Sequence, residues 1–126
     1  MLKAKTIAVP ESTSGIWLRT DLFPRLSIAA KINVRATPRG SDATAMVSAG
    51  GADLAVMPVS EILHAARVDF AGSLPLEVQF VQVFSAAVVA GSGEIEGSKR
   101  LIEFLASGRS SEAIRNSGME PLGTSE

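Results

Sequence analysis

Between Ala4 and Arg67 the chain passes repeatedly from a short apolar segment through a loop of small or hydroxyl residues into a helical pattern. Ala4 to Val9 leads into Glu11-Ser12-Thr13-Ser14-Gly15. Ile32 to Ala36 leads into Thr37-Pro38-Arg39-Gly40-Ser41-Asp42, and Ala52 to Val59 leads into Ser60. Strands that alternate with helices pair side by side in parallel and bury both faces under the connecting helices. The expected fold class is α/β, a three-layer sandwich with a mostly parallel sheet.

The elements follow from periodicity. Ile16, Trp17, Leu18, Leu22, Phe23 and Leu26 recur at helical spacing, which predicts a helix from about Ser14 to Leu26. Pro24 predicts that it stops near Phe23. Trp17 is expected at the core or its rim. The second helix runs through Met46 and Val47 and ends at Gly50-Gly51. Ser60 is expected to cap a helix to Arg67, and Val68 to Phe70 to form a further strand before the turn 71–75. Val78 to Ala90 is almost wholly apolar, which predicts a strand buried on both faces. Glu94 to Ala106 reads as an amphipathic helix with Ile95, Ile102, Phe104 and Leu105 toward a core. A shorter helix from Ser110 to Asn116 ends at Gly118, and the tail from Glu120 is expected to be loose.

Composition limits the chemistry. Twelve basic and thirteen acidic side chains leave a net charge of −1, without the basic excess that marks a nucleic-acid partner. There is no cysteine and no tyrosine, and His64 is the single histidine. No metal, no cofactor and little general acid–base chemistry are expected from that inventory, and His64 reads as a surface residue. No apolar run approaches the ~20 residues that cross a bilayer, so no direct membrane insertion is expected. The first residues lack the apolar core of an export signal, which places the chain in the cytoplasm if it is complete as written.

The two loop-to-helix junctions are the candidate sites. Free N–H groups and the positive end of a helix can hold an anion there, small side chains let it approach, and hydroxyls add donors. The same residues also read as ordinary N-caps. Arg39 can offer a bidentate partner to a carboxylate or oxyanion. Gly91-Ser92-Gly93-Glu94-Ile95-Glu96-Gly97 has a dinucleotide-like outline, but its third glycine is one position too late and Glu94 and Glu96 would repel phosphate; it reads as a connecting turn. No G-x-S-x-G, P-loop or paired-carboxylate pattern appears, and the chain is expected not to be an enzyme.

Several phrases add a resemblance. Lys3 to Ala8 followed by Ser12 to Leu18, Asp21 to Leu26, Ala49 to Val56, Pro58 to Leu63, Gly72 to Pro75, Val83 to Ala86 and Leu101 to Ser107 resemble molybdate-type periplasmic solute-binding proteins of ABC importers. That resemblance implies a lobe of the type II periplasmic-binding-protein fold, truncated and lacking the N-terminal lobe. Residues 3–75 would be the hinge-inserted second lobe, 76–121 the crossover strand and C-terminal helices that pack on the first lobe, and 122–126 a tail. It implies a solute-binding module for an oxyanion such as molybdate or a small organic anion, periplasmic in location, with an ABC permease as partner where a full-length form exists. Ser14 with Gly15 matches the family's helix-start contact, and Gly40-Ser41 a second one. The tyrosine of the molybdate binders falls at Pro58. With the residue-level reading, the candidate ligand-binding set is Ser12, Thr13, Ser14, Gly15, Arg39, Gly40 and Ser41. The alternative is a relic lobe without ligand, acting as a self-associating interaction protein. Apolar segments left without their lobe predict a homodimer or higher oligomer.

Overall fold

A computed structural model describes residues 3–122 of the chain. The chain divides into two compact units, Met1–Phe80 and Val81–Glu126.

The first unit is built on strand β1, Thr6–Pro10. It lies in the middle of a three-stranded parallel sheet of order β2-β1-β3. β2, Asn33–Thr37, pairs with it from Thr6↔Asn33 to Pro10↔Thr37. β3, Leu54–Ala55, pairs at Ile7↔Leu54 and Ala8↔Ala55. Successive side chains of a strand point to opposite faces. Ile7 and Val9 accordingly pack with Leu18, Leu22 and Phe23, while Ala8 packs with Ala43, Ala52 and Met57 on the other face. A middle strand covered on both sides has to be apolar throughout, which explains the uninterrupted Ile7-Ala8-Val9. The expected α/β class and parallel sheet are therefore present, with one helical layer on each face.

The layer against Ile7 and Val9 is a single helical run. Helix α1, Thr13–Trp17, passes through a π-helical stretch, Leu18–Leu22, into helix α2, Phe23–Arg25. The expected stop near Phe23 does not occur. Pro24 has no N–H and its ring would crowd the carbonyl four residues back. The wider turn just ahead of it, in which the Phe23 N–H donates to the Leu18 carbonyl, carries the helix past the proline. Trp17 packs on the edge of this cluster and stacks on Phe80, with ring centroids 4.9 Å apart.

The opposite layer is helix α3, Gly40–Ser48. Its end is a Schellman motif: the Gly50 N–H donates to the Val47 carbonyl and the Gly51 N–H to the Met46 carbonyl, with Gly50 at φ +77°. Only a residue tolerant of the left-handed region fits there, so the glycine pair ends the helix as its sequence predicts.

Three expected elements are shorter or missing. The strand expected over Ala52–Val59 is only Leu54–Ala55, although backbone bonds from Asp53 N–H to Thr6 and from Val56 N–H to Ala8 extend the pairing. Beyond them Pro58 has no donor for the ladder and starts helix α4, Val59–Ile62, well short of the expected Arg67. Val68 to Phe70 is not a strand.

The largest departure is Val78 to Ala90. It is not a buried strand: Leu76–Val78 forms a 3-10 turn, the rest is irregular, and Val81, Val83, Phe84 and Val89 are exposed. A strand needs a neighbour to take its N–H and C=O groups, and the sheet of the described residues ends at β3. In the second unit, helix α5, Ile95–Ala106, is followed by a 3-10 turn, Gly108–Ser110, and helix α6, Ser111–Asn116. Ser107 and Ser110 hydroxyls both donate to the Phe104 carbonyl at 2.7 Å, which satisfies the end of α5. Among the described residues this unit buries no apolar side chain, and Leu101 and Phe104 are exposed. The tail expected at 122–126 lies, beyond Leu122, outside the described residues.

One surface carboxylate fastens the sheet. Asp53 accepts the backbone N–H groups of Lys5 and Thr6, each at 2.9 Å. The Thr6 N–H, then the Lys5 N–H, hold its carboxyl below the ordinary range. A carboxyl whose folded pKa is lowered adds stability above its unfolded pKa of about 4 and loses it as pH falls through the folded value. Asp53→Asn is therefore expected to lower the urea midpoint near neutral pH, and the gap from the native chain should close on acidification below about pH 4. A gap that stays constant with pH would show that the charge plays no part.

Candidate functional site

Both predicted junctions lie at the carboxyl ends of neighbouring strands. Pro10 and Thr37 are register partners, and the Glu11 N–H donates to the Thr37 carbonyl at 2.7 Å, tying the two loops together. The buried Thr37 hydroxyl donates to the Arg39 carbonyl at 2.9 Å, shaping the approach to α3. The helices that leave these loops go to opposite faces of the sheet, so the junctions share an edge and then diverge.

The α1 junction is a packed corner. Gly15 is buried against the end of β1, and a methyl group added there would run into the Pro10 carbonyl oxygen. Ser14 is also buried, and its hydroxyl lies 3.1 Å from that of Ser12. Ser12 holds the N-cap position but makes no side-chain cap bond, and Thr13 is exposed. The expected hydroxyl caps are thus absent here, because the two serine hydroxyls pair with each other.

The α3 junction opens onto a concavity of about 670 Å³. Its floor is one stripe of α3, Ser41, Thr44, Ala45 and Ser48, at the spacing that puts small side chains on one helix face. Its far wall is the segment from α4 onward, including Glu61, His64 and Arg67. Of the residues expected to bind ligand, Arg39, Gly40 and Ser41 line this concavity, whereas Ser12, Thr13, Ser14 and Gly15 do not.

Its polar groups are unequally engaged. Arg39, the N-cap residue of α3, gives its guanidinium to Asp42 through Nε at 3.0 Å and a second nitrogen at 3.1 Å. That pairing, first through the hydrogen bonds, raises the pKa of Arg39 and lowers that of Asp42. The bidentate fork expected for a ligand is therefore spent inside the first turn of the helix. Thr44 donates to the Ser41 carbonyl at 3.1 Å and Ser48 to the Ala45 carbonyl at 3.0 Å, both bonds within their own helix. Gly40 is buried beneath the far wall: an added methyl would meet the Glu61 carboxylate and lie 2.5 Å from the Met57 Cε. Arg67 stands at the rim with φ +61°, a left-handed conformation that costs a non-glycine residue of order 1 kcal/mol and collects at functional positions.

Glu61 lies in the first turn of α4, at the third strand-to-helix passage, whose loop carries no run of hydroxyl residues, and Arg67 lies beyond α4; neither is marked by a motif. Their signal is the i, i+3, i+4, i+7 run of small residues from Ser41 to Ser48, a helix face too small to be covered by its own side chains. Among the described residues no group of three or more histidine, cysteine or acidic side chains is placed to hold a metal ion, and no helix is long and apolar enough to cross a membrane.

No solved structure matches the chain. An aconitate isomerase of a Pseudomonas species is 31% identical over 121 residues, covering 95% of this chain and 46% of that protein. The chain thus spans about half the length of the curated relative it matches. That relative is named as an enzyme, so the expectation that the chain is not an enzyme, drawn from missing motifs, does not stand. A family model described as bacterial extracellular solute-binding protein matches residues 2–120. With that match over nearly its whole length, on a parallel α/β sheet with a concavity beside the start of α3, the chain belongs to the bacterial extracellular solute-binding protein family.

Proposed function

We propose that the chain is a solute-recognising lobe for a small organic anion, a carboxylate, with the α3 concavity as its share of the binding site. The observation that carries this reading is Arg67. It holds a left-handed backbone at the rim, forms no ion pair among the described residues, and faces the same concavity as the start of α3. A guanidinium beside a helix N-terminus suits a carboxylate. The relative's printed name, which concerns aconitate, favours a carboxylate over a molybdate-type oxyanion. In this reading 3–75 is one lobe and 76–121 the return segment of a two-lobed protein, and Ser12 to Gly15 belong to the same sheet edge as the site. An ABC permease is then the natural partner of the whole protein.

A thermal-shift series tests it, with aconitate, citrate, succinate and malate set against molybdate, tungstate, sulfate and phosphate. A ligand at a hundred times its Kd adds about 2.7 kcal/mol. A shift from carboxylates that disappears in Arg67→Gln is the expected result. A shift from molybdate alone would replace the carboxylate reading, and no shift from any would remove it. Following one aconitate isomer in the presence of the chain by proton NMR checks for isomerase activity, the second reading, which rests on the 31% identity. The self-associating reading is favoured by the exposed Val83, Phe84 and Leu101 of the second unit, and a monomeric mass by light scattering would remove it.

A further inference from the structure

We infer that the solute of this concavity carries a hydrogen-bond donor, a hydroxyl or an ammonium, next to its carboxylate, and that Glu61 reads that donor; the inference rests on the carboxylate reading above. The wall of the concavity holds two opposite charges, Glu61 and Arg67. Among the described residues neither is in an ion pair: the pairs present are Asp21–Arg25, Arg39–Asp42 and Glu96–Lys99. Two charges on one wall, each without an opposite partner, form a bipolar lining.

Position gives Glu61 its role. Its carboxylate is pressed against Gly40, the first residue of α3, closely enough that a methyl group there would collide with it. An anion approaching the start of α3 meets this carboxylate, and like charges repel at that distance. The other cation at the junction, Arg39, is already neutralised by Asp42, and the Thr44 and Ser48 hydroxyls are spent on their own helix. Beside the Ser41 and His64 side chains, which also line the concavity, a bare carboxylate would meet one guanidinium outside any ion pair and one repelling acid. A solute with a donor on the neighbouring carbon satisfies both, its carboxylate on Arg67 and its hydroxyl or ammonium on Glu61. A hydrogen bond to a charged acceptor is stronger than one between neutral groups, and an unsatisfied one is a corresponding loss.

Calorimetric titration of the full chain with succinate, malate and aspartate isolates the donor, since the three share a four-carbon skeleton. Malate or aspartate should bind about tenfold or more tightly than succinate, and whichever of the two leads identifies hydroxyl or ammonium. In Glu61→Gln the gap should collapse and succinate should tighten, with the circular dichroism spectrum unchanged. In Arg67→Gln all three should weaken together. Succinate binding as tightly as the other two, or a gap that survives Glu61→Gln, overturns the role of Glu61 while leaving the carboxylate reading standing. Absence of binding by all three, in both the native chain and Glu61→Gln, overturns the carboxylate reading and this inference with it.

Discussion

Replacing Phe23 by alanine is expected to cost about 3–5 kcal/mol, the range for truncating a buried aromatic. Phe23 is 1% exposed and packs with Ile7, Val9, Leu18 and Leu22, the larger of two buried apolar clusters among the described residues. Its place in the run matters as much as its size. It follows the π-helical stretch directly and its N–H closes that stretch onto the Leu18 carbonyl, while its own carbonyl accepts the Ile28 N–H at 3.0 Å. The ring therefore anchors a helix segment that Pro24 would otherwise tend to break. With a total stability of about 5–15 kcal/mol for a domain, Phe23→Ala should leave a chain partly unfolded at room temperature. Urea titration followed by circular dichroism checks this, and a loss under about 1 kcal/mol would mean that the cluster repacks around the gap.

Gly15→Ala is expected to destabilise by about 3 kcal/mol, the upper end for overpacking a tight site, although alanine favours helices over glycine by about 1 kcal/mol. The added methyl would occupy the position of the Pro10 carbonyl oxygen, and that oxygen belongs to the middle strand. Backbone cannot swing aside without moving β1 or α1. Gly40→Ala is the informative contrast. Its methyl meets the Glu61 carboxylate and the Met57 Cε, both ends of flexible side chains, so the loss there should stay under about 1 kcal/mol. Urea midpoints of the two variants, measured side by side, decide the matter. A Gly15→Ala chain as stable as the native one would show that the close approach of α1 to β1 is dispensable.

The exposed side chains of the second unit have the opposite character. α5 carries apolar residues such as Leu101, Phe104 and Leu105, all exposed, on a helix of 12 residues. Isolated helices of that length are marginal in water, so α5 depends on tertiary contacts more than the elements of the sheet do. The Arg109 guanidinium over the Phe104 ring, 5.2 Å from its centroid, covers one of these side chains at a small gain.

Local patterns were legible where a single residue type answers a single backbone requirement. Gly50 at φ +77° and Gly118 at φ +80° end α3 and α6 where the sequence places them, because few other residues accept that conformation. The apolar run Ile7-Ala8-Val9 announced a strand covered on both faces, and the small, hydroxyl-bearing loops announced the helices that follow it. Periodicity misled where the deciding partner is distant. Val78 to Ala90 has the composition of a buried strand, yet hydrophobicity alone supplies no neighbour for its backbone groups. Pro24 has the look of a helix terminator, and a π-turn that no propensity encodes carries the helix through it.

The candidate site divides along the same line. Arg39, Gly40 and Ser41 could be named from the chain because they sit between a strand and a helix, a junction visible in one dimension. Glu61 and Arg67 could not, because their place opposite α3 depends on β3 pairing beside β1 and turning at Pro58. By itself the sequence determined the strand–helix alternation, the sheet's apolar middle strand and the glycine stops, each a contact between near neighbours or a demand of one residue's backbone. Only the tertiary structure decided that the two junctions leave on opposite faces, that Arg39 pairs with Asp42, and that an acid and a guanidinium line the same concavity as the start of α3. Those outcomes depend on which strands pair and in what order, and that choice is made by packing across the whole sheet rather than by any stretch of the chain.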